Sequence, residues 1–459
     1  MADVAIRWIG AVGLAFCSPA SADEPPLQAA YVLMSDHGPV ARAIVDEHAD
    51  CPALMIDGEA VRMTERAAPA TLPQRPTKST VQNSKASSFP VRTCEASIPR
   101  GTHAASISGH SISLPKAHLD HIVVIGDTGC RIKAADNAAQ GCNDPAAYPF
   151  ARIAAQAAAT HPDLVLHVGD YLYRENPCPA GNVGCAGSVW GYGWDAWNAD
   201  FFAPAAPLLA AAPWIMVRGN HESCLRAGQG WWRFLAAQDF TIGRDCNDVA
   251  NDARGDDSPP FAAPLGKGAQ IIVMDLAIAG EDPISATDPR QGQLKAIQQT
   301  VMHLAKGHRF TFATDHYPIL GLSASAKNGD FKLNAGNLAL RSTFGVSDPA
   351  FALPGIDMLI AGHVHEWQHV DLGLRHPSQL ISGMSGTQED VVPIPPADAL
   401  ASHPARGVSI KCFDSWTDGF GFMTMDRTGS RSWRVEVHAL DGTIVRRCRV
   451  HGRRSTCAD

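Results

Sequence analysis

An α/β fold preceded by a small all-β region is the class this sequence predicts, and three observations carry it. Five short apolar runs, 122–125, 164–168, 214–217, 310–313 and 358–361, each break into a cluster drawn from Gly, Asp, Asn, Tyr and His. Segments with helical spacing or alanine-rich composition, 150–160, 194–211 and 291–306, alternate with those runs, as helices covering parallel strands would. Before about residue 115 the pattern is instead of short β-rich segments with no helical period.

In chain order, residues 1–22 read as a cleaved secretory signal. Arg7 precedes an apolar segment, 8–17, too short to span a bilayer, and Ala20-Ser21-Ala22 suits a signal peptidase. The mature protein is then expected to be exported, either secreted or periplasmic, with no membrane span. Residues 23–117 form the expected small β-rich domain, from the segments 30–34, 40–45, 89–94 and 103–108, with a Pro/Ser/Thr-rich loop at 67–90. Residues 118–459 form the expected catalytic domain. Its β-rich end, in 379–382, 421–426, 433–440 and 443–450, is read as completing a second sheet. Two long loops, 178–194 and 247–268, interrupt it; the irregular aspartates of the second do not match a calcium loop.

Export changes how the cysteines are read, because disulfides persist in oxidising compartments. Sequence neighbours suggest Cys51–Cys94, Cys130–Cys142, Cys178–Cys185, Cys224–Cys246 and Cys448–Cys457, with Cys412 alone once Cys17 leaves with the signal. A zinc cluster is disfavoured, since no Cys-x-x-Cys occurs. A formal charge of -8 without an extended basic block argues against a nucleic-acid scaffold as partner. The arginines at 446, 447, 449, 453 and 454 read as a solvated terminal strand.

Chemistry concentrates where the apolar runs end. In open α/β sheets ligands bind beyond the carboxyl ends of the strands, so the five ends would share one crevice. They bring Asp127, Asp170, Tyr173, Asn220, His221, His316, His363 and His365. Carboxylate, phenolate, amide oxygen and imidazole make a mixed hard and borderline donor set suited to iron, manganese or zinc. One carboxylate shared between two metals accounts for the number of donors, and two close metals can generate hydroxide and neutralise a phosphoryl group under attack.

Those motifs, Gly126-Asp127-Thr128-Gly129, Gly169-Asp170-Tyr171-Leu172-Tyr173, Gly219-Asn220-His221-Glu222, Thr314-Asp315-His316 and Gly362-His363-Val364-His365, resemble those of the purple acid phosphatase branch of the calcineurin-like metallophosphoesterases. In that branch the first motif ends in Gly, here Gly129, and the second supplies a tyrosinate, here Tyr173. The resemblance implies a four-layer αββα sandwich and two metal ions, Fe(III) with a divalent Fe, Zn or Mn. Asp127, Tyr173 and His365 would hold the ferric ion, Asn220, His316 and His363 the divalent one, and Asp170 would bridge.

His221 would bind substrate phosphate or protonate the leaving oxygen, with Glu222 holding a ligand in place; these two are the catalytic candidates. The implied activity is phosphomonoester hydrolysis by a metal-bound hydroxide, on a small-molecule phosphate ester. The alternatives are a phosphodiesterase on the same scaffold, or an exported protein that binds phosphate or metal without turnover.

Other residues are open to plainer readings. Arg131, Arg174 and Arg218 flank the motifs and could clamp phosphate or form structural ion pairs. Arg218 and His369 are kept as substrate-binding candidates. His167 reads as a satisfied core histidine and Trp231-Trp232 as core or interface.

Overall fold

The computed structural model describes residues 27–327, 330–344, 353–388, 391–404 and 407–458. The expected signal, 1–22, lies outside the described residues. Among those described, two large sheets face each other, one of 11 strands and one of 7.

The centre of the first sheet is parallel: His121–Ile125, Leu164–His167 and Trp214–Met216 lie side by side. In the second, Ala269–Val273, Phe310–Thr314, Met358–Ala361 and Ser378–Ser382 are parallel in that order. These strands are continuous apolar runs because both their faces are covered. Between the sheets Ile122, Val124, Leu164 and Leu166 pack against Phe310, Phe312, Met358 and Ile360. Helices Phe150–Ala159 and Ala203–Ala211 cover the outer face of the first sheet. Helices Arg290–Leu304 and Leu338–Thr343 cover that of the second. The layers are therefore αββα, as expected.

The expected β-rich domain, described from residue 27 to 117, is continuous with that architecture. Leu27–Ser35 pairs in parallel with Trp214–Met216 through Leu33 and Trp214. Gly38–Asp46, Val91–Ser97 and Thr64–Ala67 then carry the same sheet outward. Strand alternation gives this extension two apolar faces. Tyr31, Leu33 and Ile44 join the core beneath the helices, while Val32, Ala41, Ala43 and Val45 pack with Leu54 and Ile107 of a small second sheet. The N-terminal region is thus a sandwich, one layer of which is the edge of the catalytic sheet.

Two expectations about the rest of the chain need correction. Of the late β segments only Ser378–Ser382 joins the second sheet; Gly421–Gly429 pairs antiparallel with His121–Ile125, and Ser432–Ala439 and Ile444–His451 extend the first sheet from it, each antiparallel to the strand before. Inside the presumed loop 247–268, Phe261–Gly266 forms a strand against Ala269–Val273. Its Ala, Pro and Gly content masks an alternation in which Phe261, Ala263 and Leu265 are buried.

All five expected disulfides are present and Cys412 is free. Five disulfides belong to an oxidising, extracytoplasmic setting. Among the described residues no helix is long and apolar enough to cross a membrane.

Candidate functional site

Each motif begins where a parallel strand ends: three leave the first sheet and two leave the second, so their side chains meet across the seam. The turns are tight. Asp127, Asp170 and His363 have φ of 53°, 58° and 73°, a left-handed conformation that non-glycine residues hold only when their surroundings enforce it. A Cβ on Gly219 would sit 2.0 Å from Asp170 Oδ1, so only glycine lets the third motif approach the second.

Two half-clusters share Asp170. On one side the Tyr173 phenol oxygen lies 2.9 Å from Asp127 Oδ1, 2.8 Å from Asp170 Oδ2 and 3.0 Å from His365 Nε2. On the other, Asn220 Oδ1 is 3.1 Å from both His316 Nε2 and His363 Nδ1, and His316 Nε2 is 3.1 Å from Asp170 Oδ2. Carboxylate oxygen and imidazole nitrogens of Asp170, His316 and His363 lie within 4.8 Å of one another. The seven residues expected to ligate metal are therefore together.

Acceptors outnumber donors in this cluster. A phenol has one proton, so Tyr173 can donate to only one of the two carboxylates it touches. Burial, with Asp127 and Asp170 alongside, pushes its pKa well above the usual value. Burial alone would lower His316, but Asp170 and Asp127 hold it up at about 9. Buried anionic oxygens short of donors fit a multiply charged cation, which would take the place of both the phenol proton and the imidazolium charge. The outer hydrogen bonds also suit ligands: His316 Nδ1 faces Val168 O at 2.9 Å and His365 Nδ1 faces Gln388 O at 3.1 Å, leaving each Nε2 turned inward.

His221 stands beside the cluster, its ring 3.9 Å from that of Tyr173. Its Nδ1 lies 3.0 Å from Glu175 Oε1 and 3.2 Å from Leu172 O, which leaves Nε2 as the nitrogen available to a ligand. Burial would raise Glu175, but Arg226 and His221 hold its carboxyl down at about 2. Burial, with Arg226 adding to it, lowers His221.

Glu222, expected beside the ligands, does not line the crevice. Its carboxylate accepts hydrogen bonds from the backbone N–H of Asp170, Tyr171, Leu172 and Gly219 at 2.8–3.3 Å, clamping the second motif to the third. Burial and the neighbouring Asp170 push it up to about 8.

Both substrate candidates need correction. Arg218 is fully buried, donating to Gly255 O and Ser258 Oγ and pairing with Asp275 at 2.9 Å. His369 is buried with Nε2 2.5 Å from Ser455 Oγ. Neither lines the crevice. Arg174 is also spent, on buried Asp200 at 2.6 Å, and His167 is a core residue 3.0 Å from Thr128 Oγ1 and stacked on Tyr171.

The crevice over the cluster encloses about 290 Å³, and Arg131, Lys133 and Arg226 supply its positive charge. Of these only Arg131 stood out in the sequence, by adjacency to the first motif. Lys133, Glu175, Arg226 and Glu281 had no such signal, since each lies outside the motif triplets. Glu281 sits at one end of the crevice, 2.9 Å from His363 Nε2, where a second cleft of about 440 Å³ begins.

Residues 121–367 match the family model described as calcineurin-like phosphoesterase. No curated protein matches the chain. Among solved structures, the purple acid phosphatase PPD1 from yellow lupin (Lupinus luteus) seeds superposes with a TM-score of 0.52 at 13% identity, over 93% of this chain and 73% of that one. PhoD does so with a TM-score of 0.51 at 11% identity, over 96% and 94%. At these identities the likeness is one of fold.

Proposed function

As this chain belongs to the calcineurin-like phosphoesterase family, we propose that it is an exported phosphomonoesterase of the purple acid phosphatase type, with Fe(III) and a divalent Fe, Zn or Mn. The observation that carries the reading is Tyr173, whose phenol oxygen lies within 3.0 Å of Asp127, Asp170 and His365 at once. A tyrosinate in that position is a hard, anionic donor suited to a trivalent ion. Asp127, Tyr173 and His365 would hold the ferric ion, and Asn220, His316 and His363 the divalent one. Asp170 Oδ2 faces both sets and would bridge.

When bound, the two metals supply charge neutralisation and an activated water for attack on phosphorus. The remaining work falls to the chain. His221, its Nδ1 held by Glu175 and Leu172, directs Nε2 to the substrate, where in its protonated form it donates to a phosphate oxygen or to the departing alkoxide. Arg131, Lys133 and Arg226 hold the phosphate charge from the crevice walls. Glu222 keeps Asp170 and Asn220 in register through the loop amides.

The test is a visible absorption spectrum of the purified protein with metal analysis of the same sample. A ferric tyrosinate gives a charge-transfer band, expected here and expected to vanish in Tyr173→Phe. A colourless protein holding manganese or zinc without iron would overturn the ferric assignment. Clear preference for diester over monoester model substrates would replace the monoesterase reading with a phosphodiesterase.

A further inference from the structure

The cleft of about 440 Å³ shares Glu281, His363 and His365 with the metal crevice, so the two adjoin. Its volume falls in the range of roughly 300–1,000 Å³ typical of small-molecule sites. One wall is the hairpin of Leu322–Lys327 and Asp330–Ala335. Ser323 pairs across it with Asn334, Ala324 with Leu333, and Ser325 with Lys332. Residues paired across a ladder share a face, and the faces alternate. Ala324, Leu333 and Ala335 pack on the core under the second sheet. The opposite face therefore carries Ser323, Ser325, Lys332 and Asn334, all lining the cleft.

Among the described residues none of those four side chains has a hydrogen-bond or ion-pair partner within the protein, and the only aromatic rings lining the cleft are the imidazoles of His363 and His365 at its metal end. This face of the hairpin is thus an array of hydroxyl, amide and ammonium groups, and no phenyl, phenol or indole ring lines the cleft beside it for an aryl group to stack on.

The geometry points to a polyhydroxylated alcohol, such as a sugar or polyol, as the organic part of the substrate, seated on this hairpin while its phosphate sits over the metal ligands. The inference rests on the phosphomonoesterase reading. In the reaction the P–O bond to the sugar breaks, water supplies the new oxygen on phosphorus, and the alcohol departs with a proton into the cleft. Uncharged sugar hydroxyls both donate and accept, matching Ser323, Ser325 and Asn334, and accept from Lys332.

The test compares glucose 6-phosphate with p-nitrophenyl phosphate on the full-length mature protein and on a Ser325→Val/Asn334→Leu variant. Both substitutions lie at half-buried positions of the hairpin face, outside the metal cluster. For the variant, kcat/KM on glucose 6-phosphate is expected to fall about tenfold, the effect of losing two hydrogen bonds, with under about twofold change on p-nitrophenyl phosphate. Equal changes on both substrates, or none on either, overturn the inference. Should neither ester be hydrolysed, the phosphomonoesterase reading itself fails. Calorimetric binding of glucose 6-phosphate and phenyl phosphate then tests the cleft alone: preference for the sugar ester, lost in the variant, supports it, and equal affinity refutes it.

Discussion

Two of the places where this molecule buries charge are built on opposite plans. Where the N-terminal strands dock, Arg42 and Arg66 donate to Glu95 and to the carbonyls of Trp232, Phe234, Ala236 and Gln238, and Tyr31 adds a hydrogen bond to Phe234 O. Burial would raise Glu95, but the two guanidinium groups bring it below its usual value. At the seam between the sheets Asp127, Asp170 and Tyr173 crowd acidic oxygens together, with a single phenol proton between the two carboxylates. A buried cluster that supplies its own counter-charges stabilises a fold. One that runs short of donors, on strained backbone, is prepared for something that arrives from outside.

The contrast can be broken first at its centre. Asp170→Asn is expected to abolish turnover, beyond the roughly 100-fold loss typical of outer residues of metal sites, and to lower bound metal without unfolding the chain. Metal stoichiometry and circular dichroism check this, and retention of both metals would deny Asp170 the bridging place. The docking cluster should answer in the other way: Arg66→Met loses about 3 kcal/mol of stability in denaturant titration, since it strands Glu95 and several carbonyls, and keeps its metals.

A third buried group sharpens the comparison through pH. Burial depresses His369 to about 4, whereas in the unfolded chain it takes its proton near the ordinary value of ~6.5. The stability it contributes is present above pH 6.5 and lost as pH falls toward 4, amounting to about 2 kcal/mol by pH 5. Melting curves across that window should flatten in His369→Gln, and an unchanged slope would exclude His369 as the source. The smallest effect is expected at Glu222→Gln, where metal affinity drops about tenfold because the clamp on the second motif loosens. Unaltered affinity by competitive chelation would show that the clamp is dispensable.

Much of this was legible in the sequence because it is local. A strand that ends in Gly-Asp or Gly-Asn-His announces its own turn, so the seven ligand candidates and His221 were found from the motifs alone. The disulfides followed for a similar reason, each joining cysteines that are neighbours along the chain. What escaped depends on contacts between distant segments. Nothing around Leu33 tells that it pairs with Trp214, and nothing around 421–450 says which of two sheets it joins.

Glu175 and Arg226 matter because loops bring them to His221, and their spacing carries no period. Arg218 and His369 misled for the converse reason. Adjacency to a motif says nothing of which way a side chain turns, and both turn into the protein.

The strand Leu27–Ser35 has a consequence in time as well as in space. It, Gly38–Asp46 and Val91–Ser97 are all synthesised early and can zip into a meander locked by Cys51–Cys94. One edge of that meander stays open until Trp214 is made, and the ligands of the second sheet come later still. Pairings between such distant segments are slow to form, and an open edge invites wrong partners meanwhile. That end of the sheet is therefore made from its rim inward, with the edge of Leu27–Ser35 open while the metal ligands are still to come, and Gly421–Gly429 to Ile444–His451 complete the opposite end after them.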